Sequence, residues 1–332
     1  MDVEQEELQF LGLFGIFNES YKIIISWRKI FSQITLSLIL PLAFIFLAHI
    51  EVSQSLRGKI MTNETDMMET DVGSRQYNRL NHILASEWSA LFLIKALYFT
   101  FFLIFSLLST SAVVYTIASI YTGREVSFRR TMSVVPKVWK RVMATFLCTF
   151  LAFFAYNVLA FFVMIIWVIL GGFNYGLFVT GLFLLLVVYF AGILYMTFVW
   201  HLAGVVSVLE DVKGFQAMNK SQALMKGKMG IAICIFIILG LLSFAVQFAF
   251  QNLVVHAASV GMVAKAFYAI LCFLLLVKLF LFGLVIQTVL YFVCKSYHHE
   301  NIDKSALSDH LEVYLLGEYV PLKSKDIQLE QV

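Results

Sequence analysis

Charge is scarce in this sequence. Asp, Glu, Lys and Arg make up 14% of the 332 residues, where an ordinary soluble domain carries about a quarter. With 61% hydrophobic residues and a mean hydropathy of +0.86, that deficit argues against a water-soluble globule and for lipid as the solvent. Proline occurs 3 times, so few helices would be interrupted. The net charge of +3 gives a nucleic-acid partner no electrostatic basis. The four cysteines, Cys148, Cys234, Cys272 and Cys294, lie in apolar stretches and form no CxxC pair. They read as buried thiols packing like small hydrophobes, with Cys294 beside Lys295 an edge position open to a palmitoyl chain. HExxH, GxSxG, P-loop and dinucleotide-binding glycine patterns are all missing. No Asp or Glu lies deep in an apolar stretch, which removes carboxylate proton relays and paired acid–base sites. His201 has no second His or Cys at ligand spacing. The expectation is no cofactor, no metal and no enzyme. The start, Met1-Asp2-Val3-Glu4, is acidic where a signal peptide is basic, so the first membrane helix is expected to be an uncleaved anchor.

Long apolar runs are abundant. A hydrocarbon core about 30 Å thick needs about 20 residues of helix. Six stretches qualify: 31–50, 89–121, 142–170, 175–209, 230–256 and 266–294. Continuous runs such as 182–188 and 271–277 do not show the alternation of a β-barrel. The predicted fold class is all-α: a polytopic membrane helical bundle of about six transmembrane helices plus cytosolic interfacial amphipathic helices. Residues 1–297 would form one membrane domain and 298–332 a cytosolic tail.

Basic residues set the predicted orientation. Lys22, Arg28 and Lys29 precede the first span. Arg124, Arg129, Arg130, Lys137, Lys140 and Arg141 join the second and third. Lys213, Lys220, Lys226 and Lys228 join the fourth and fifth. These segments, and both termini, are therefore assigned to the cytosol. The loop after the first span mixes Arg57, Lys59, Arg75 and Arg79 with six acids and carries the sequon Asn63-Glu64-Thr65, a glycosylation acceptor on the opposite side. Gly171-Gly172 is read as the tight turn of the second hairpin.

Three basic segments share a pattern: Phe17 to Trp27-Arg28-Lys29, Phe128 to Trp139-Lys140-Arg141, and Phe215 to Met225-Lys226-Gly227-Lys228. In the second, Met132, Val135, Val138 and Trp139 follow helical spacing opposite Arg129, Arg130, Lys137 and Lys140. This is how a helix lying in the interface reads, apolar face in the acyl boundary and cations at anionic headgroups, with Pro136 bending or dividing it. Three repeat units, 14–121, 122–209 and 210–297, describe the pattern; so does the basic, aromatic-ended character of juxtamembrane loops in general. Arg28, Lys29, Arg129, Arg130, Lys140, Arg141, Lys226 and Lys228 are the candidate interfacial lipid-binding residues.

Polar residues within the spans are the candidates for a solute or a lipid headgroup. Lys278 sits among Leu and Val in the sixth span, either lining a polar path or snorkelling to the interface. Lys95 has the same two readings. Asn157, Gln247, Gln251, Asn252 and Gln287 either bridge helices or face a solute. Gly181, Gly192, Gly204 and Gly240 would allow close helix packing. His298 and His299 read as solvated, and Tyr319-Val320-Pro321-Leu322 fits a Tyr-x-x-bulky-apolar adaptor signal.

Leu8-Gln9-Phe10-Leu11-Gly12, Asn18-Glu19-Ser20-Tyr21, Trp27-Arg28-Lys29, Ile120-Tyr121-Thr122-Gly123, Val126-Ser127-Phe128 and Trp139-Lys140-Arg141 together resemble a plant family of multi-pass membrane proteins. Some of its members carry a legacy label as binders of a poly(A)-binding protein. Trp200, Val208-Leu209-Glu210, Gly214-Phe215-Gln216-Ala217, Ser221 and Lys226-Gly227 are similar to a pattern in the membrane domain attached to some bacterial glycerophosphodiester phosphodiesterases. That resemblance implies a membrane module, not hydrolysis. The expected function is non-enzymatic organisation of anionic lipids, or of membrane or cytosolic partner proteins, through basic interfacial helices, in the endoplasmic reticulum or plasma membrane. The alternative is a transporter or channel for a small or lipid-like solute, lined by Lys278 and the amides.

Overall fold

A computed structural model describes residues 8–170, 175–257 and 261–298. Among them there is no strand. A short helix α1 (Leu13–Ser26) leads into α2 (Arg28–Ile34), a π-helical turn (Thr35–Ile39) and α3 (Leu40–Met68). Then come α4 (Arg75–Tyr121), α5 (Phe128–Leu170), α6 (Tyr175–Leu209), the short α7 (Phe215–Met225), α8 (Met229–Phe250), a second π-helical turn (Gln251–Val255) and α9 (Met262–Tyr297). Six helices are long and apolar enough to cross a membrane. The protein is an all-α bundle of the integral-membrane type.

The long helices pair as hairpins, α3 with α4, α5 with α6 and α8 with α9. The first is much longer than a bilayer requires. At 47 residues α4 spans about 70 Å, more than twice the hydrocarbon thickness. The segment expected as a loop after the first span is thus mostly helix, and the chain reverses between Met68 and Arg75, with Ser74 Oγ capping α4 by accepting from the Tyr77 N–H at 3.0 Å.

Burial is concentrated at one end. The last turns of α4 (111–119), α6 (205–209) and α9 (285–294) are buried on every side. These three segments pack on one another as the centre of the bundle. Three outer segments wrap them: α1 lies against α9, the start of α5 against α4, and α7 against α6. Phe17 and Phe282 have ring centroids 5.8 Å apart, Thr116 and Thr131 hydroxyls approach to 3.5 Å, and Ser221 Oγ donates to the Val199 carbonyl at 2.8 Å. Each outer segment therefore covers the final helix of the preceding hairpin, and α1 closes the circle on the last one. Away from this end the hairpins present large apolar side chains outward, such as Phe150, Phe154, Phe183 and Phe244, as hydrocarbon solvent allows.

Several expectations change. The valine face of residues 128–141 enters protein, not acyl chains: Val134, Val135 and Val138 are at most 3% exposed. The segment is the continuous start of α5, and Pro136 lies inside that helix without dividing it. Cys294 is fully buried, enclosed by the packed end of α9, so it offers no edge thiol for a lipid chain; Cys234 is exposed. His298 is exposed as expected, and its Nε2 also lies 2.8 Å from the Lys226 carbonyl and 3.1 Å from that of Leu224. Of the four glycines, Gly181 and Gly192 face the rings of Trp167 and Tyr156 so closely that no Cβ would fit, whereas Gly204 and Gly240 have open space. Gly171-Gly172, His299 and Tyr319 to Leu322 lie outside the described residues.

Candidate functional site

The buried end is also the basic end. Segments 8–34, 121–141, 209–229 and 295–298 carry fourteen Lys and Arg side chains against four carboxylates among the described residues. Nine of the fourteen are exposed: Lys22, Arg28, Lys29, Arg129, Arg130, Lys137, Lys140, Lys213 and Lys226. Arg130 reaches Glu125, donating to its carbonyl at 3.1 Å with the carboxylate 3.9 Å away.

At the centre of this end one acid organises cations from other elements. Glu210 follows α6. Its Oε1 accepts from Tyr291 Oη at 2.6 Å and Lys295 Nζ at 3.0 Å, both on α9, and its Oε2 lies 2.6 Å from Lys220 Nζ on α7. Arg141 on α5 donates to the Glu210 carbonyl at 2.8 Å and to Asp211 Oδ1 at 3.1 Å. Burial by itself would raise the Glu210 pKa, but hydrogen bonds from Lys220 and Tyr291 and the charge of Lys295 outweigh it and hold the carboxyl below its ordinary value. The ionised carboxylate thus joins α6, α7 and α9.

The chain turns that create this arrangement need glycine. Gly214 has φ +62° and its N–H donates to Thr145 Oγ1 on α5 at 3.0 Å. Gly227 has φ +91°, and a Cβ there would strike the Tyr297 ring. The chain thereby returns Lys228 Nζ to 5.1 Å from the centroid of that ring, a cation–π distance. Arg141 and Lys228 are consequently tied into the protein surface.

The intramembrane candidates do not converge. Lys278 is exposed on α9 and Lys95 on α4. Lys95 lies within electrostatic reach of His49, which stacks on Tyr98 at 3.7 Å. Asn157 bridges its hairpin, accepting from Tyr189 Oη at 2.8 Å and donating to the Phe153 carbonyl at 2.7 Å. Gln287 donates to the His201 carbonyl, joining α9 to α6. Gln247 is half-buried on α8. His201 is stacked on Phe236 at 5.0 Å, and no cluster of metal-ligating side chains exists among the described residues.

At the opposite end Asn63 sits within α3, its amide donating to Glu87 Oε2 at 2.8 Å. An open cleft of about 450 Å³ is lined there by Glu51, Gln54, Arg57 and His256. Gln54 Nε2 and His256 Nε2 are 2.9 Å apart, and His256 Nδ1 lies 3.0 Å from the Gln251 carbonyl.

Sequence reasoning missed Glu210 as an organising residue, because its partners lie up to 85 residues away. It also missed Glu19, although Ile16, Glu19, Ser20 and Ile23, all buried, have the i, i+3, i+4, i+7 spacing of a core-facing stripe.

Over its whole length, residues 1–332, the chain matches the family described as Domain of unknown function (DUF8558). Neither curated proteins nor solved structures give a match.

Proposed function

We propose that this chain, which belongs to the DUF8558 family, is a non-enzymatic membrane protein that gathers anionic lipid headgroups at its basic end. The observation that carries the reading is the charge imbalance of that end, fourteen cations to four carboxylates among the described residues, built on the most buried part of the bundle. A Lys or Arg near an anionic surface contributes about 1 kcal/mol of attraction. The exposed cations of this end therefore suffice to enrich anionic lipid around the protein, while Glu210 consumes the charge of Lys220 and Lys295 internally. In this reading the basic end faces the cytosol, both termini with it, in the endoplasmic reticulum or plasma membrane.

Transport draws less support. Lys278 and Lys95 are exposed on the outside of their helices, and Asn157 is used within one hairpin, so these groups outline no shared path. Binding of partner proteins to the same ring remains the second use of its charge.

The test replaces Arg28, Lys29, Arg129, Arg130, Lys140 and Lys226 together by Gln. Purified protein in phosphatidylcholine nanodiscs containing phosphatidylglycerol is then assayed for guest lipid bound per protein. Wild type should enrich phosphatidylglycerol and the variant should lose that enrichment with its helical content intact. Equal enrichment in both would overturn the proposal.

A further inference from the structure

The basic end also holds a carboxylate that nothing neutralises. Glu19 is 7% exposed and Ser20 is 0% exposed, both on the face of α1 turned into the protein. Among the described residues Glu19 enters no ion pair. Ser20 Oγ is enclosed without a hydrogen-bond partner, and so is Tyr121 Oη at the end of α4, which lies within electrostatic reach of Glu19. Enclosed polar groups are paired in nearly all proteins, and a buried charge without a counter-charge is costly. Two enclosed hydroxyls without partners and a mostly buried carboxylate without a counter-charge, within electrostatic reach of one of them, thus ask for a cationic donor.

The surroundings narrow its chemistry. Tyr121 packs on the Phe292 ring with centroids 4.7 Å apart, and an aromatic face beside an acceptor favours an ammonium group. Lys22, one turn beyond Glu19, is exposed and would meet an anionic group attached to the same ligand. A primary ammonium has three N–H donors, matching the Glu19, Ser20 and Tyr121 oxygens, whereas a choline headgroup has none. We propose that Glu19, Ser20 and Tyr121 seat the primary ammonium group of an aminophospholipid, whose phosphate faces the cations outside. The inference rests on the lipid-gathering reading and adds a headgroup preference to it.

The experiment compares phosphatidylserine with phosphatidylglycerol as guests in phosphatidylcholine nanodiscs, since both are anionic and only the first carries an amine. Wild type should prefer phosphatidylserine by about tenfold, the worth of one charge-assisted hydrogen bond. Glu19→Gln, nearly isosteric, should abolish the preference while phosphatidylglycerol binding persists, and Ser20→Ala should weaken it. Melting temperatures in detergent identify a variant that has merely unfolded, in which case Ser20→Ala and Tyr121→Phe decide. Equal enrichment of the two guests by wild type overturns this inference and leaves lipid gathering standing; enrichment of neither overturns both. A preference unaltered in Glu19→Gln also overturns it. Free ethanolamine raising the wild-type melting temperature, but not that of Glu19→Gln, supports the ammonium seat. Stabilisation by potassium chloride with none by ethanolamine assigns the seat to a metal ion and overturns it.

Discussion

Tyr291 donates its phenolic hydroxyl to Glu210 Oε1 over 2.6 Å. This bond joins α9 to the chain just after α6, and Lys295 and Lys220 complete the carboxylate's partners. These partners favour the ionised form of the carboxylate.

Removing the charge should loosen the closure. Glu210→Gln leaves Lys220 and Lys295 without their counter-ion and is expected to lower stability by about 2 kcal/mol. Tyr291→Phe deletes one bond and should cost about 1 kcal/mol. Thermal unfolding in detergent, followed by helical circular dichroism, checks the order.

Acid should act in the same way. The Glu210 carboxyl is held below its ordinary value in the folded protein, so its contribution is complete above the unfolded carboxylate pKa of about 4.3 and is lost as pH falls through the lower folded value. The melting temperature of wild type should therefore drop more steeply below about pH 4.3 than that of Glu210→Gln, whose amide does not titrate. Parallel curves for the two proteins would contradict this assignment.

Gly214→Ala tests the turn that carries α7 onto α6. At φ +62° an L side chain is strained, and its Cβ would also press on the Cys148 sulfur. A loss of about 1–3 kcal/mol is expected, with Ala223→Gly on the exposed face of the adjacent helix as a comparison governed by ordinary helix propensity.

Lys278 lies on the outer surface of α9. Lys278→Leu should leave the melting temperature and guest-lipid binding unchanged and should insert at least as well as wild type, since it removes a charge costing about 2.5–3.5 kcal/mol on insertion scales. Loss of lipid binding in this variant would move the active surface away from the basic end.

Much of the architecture was legible because lipid imposes a simple rule. Apolar runs long enough to span mark α3 to α6, α8 and α9, and the clusters at Arg28, Arg129, Lys140 and Lys226 mark the end where they gather. Contacts between distant elements were not legible. The Val134, Val135 and Val138 face fits an acyl boundary as well as a neighbouring helix, and only the position of α4 decides for protein. Pro136 is carried within α5, which packs on both sides of it. Glu210 looked like one acid in a basic loop, since Tyr291 and Lys295 reach it from the end of the chain's last span. Glu19 could have been found, because its place between Ile16 and Ile23 falls on the buried stripe of α1.

The central claim is that the basic end collects anionic lipid. Its most direct test is the composition of the lipid shell extracted with the protein in polymer-bounded native nanodiscs, measured against the bulk membrane by mass spectrometry. Enrichment of anionic species, reduced when Arg28, Lys29, Arg129, Arg130, Lys140 and Lys226 are replaced by Gln, is the predicted result. A shell with the bulk composition would contradict it.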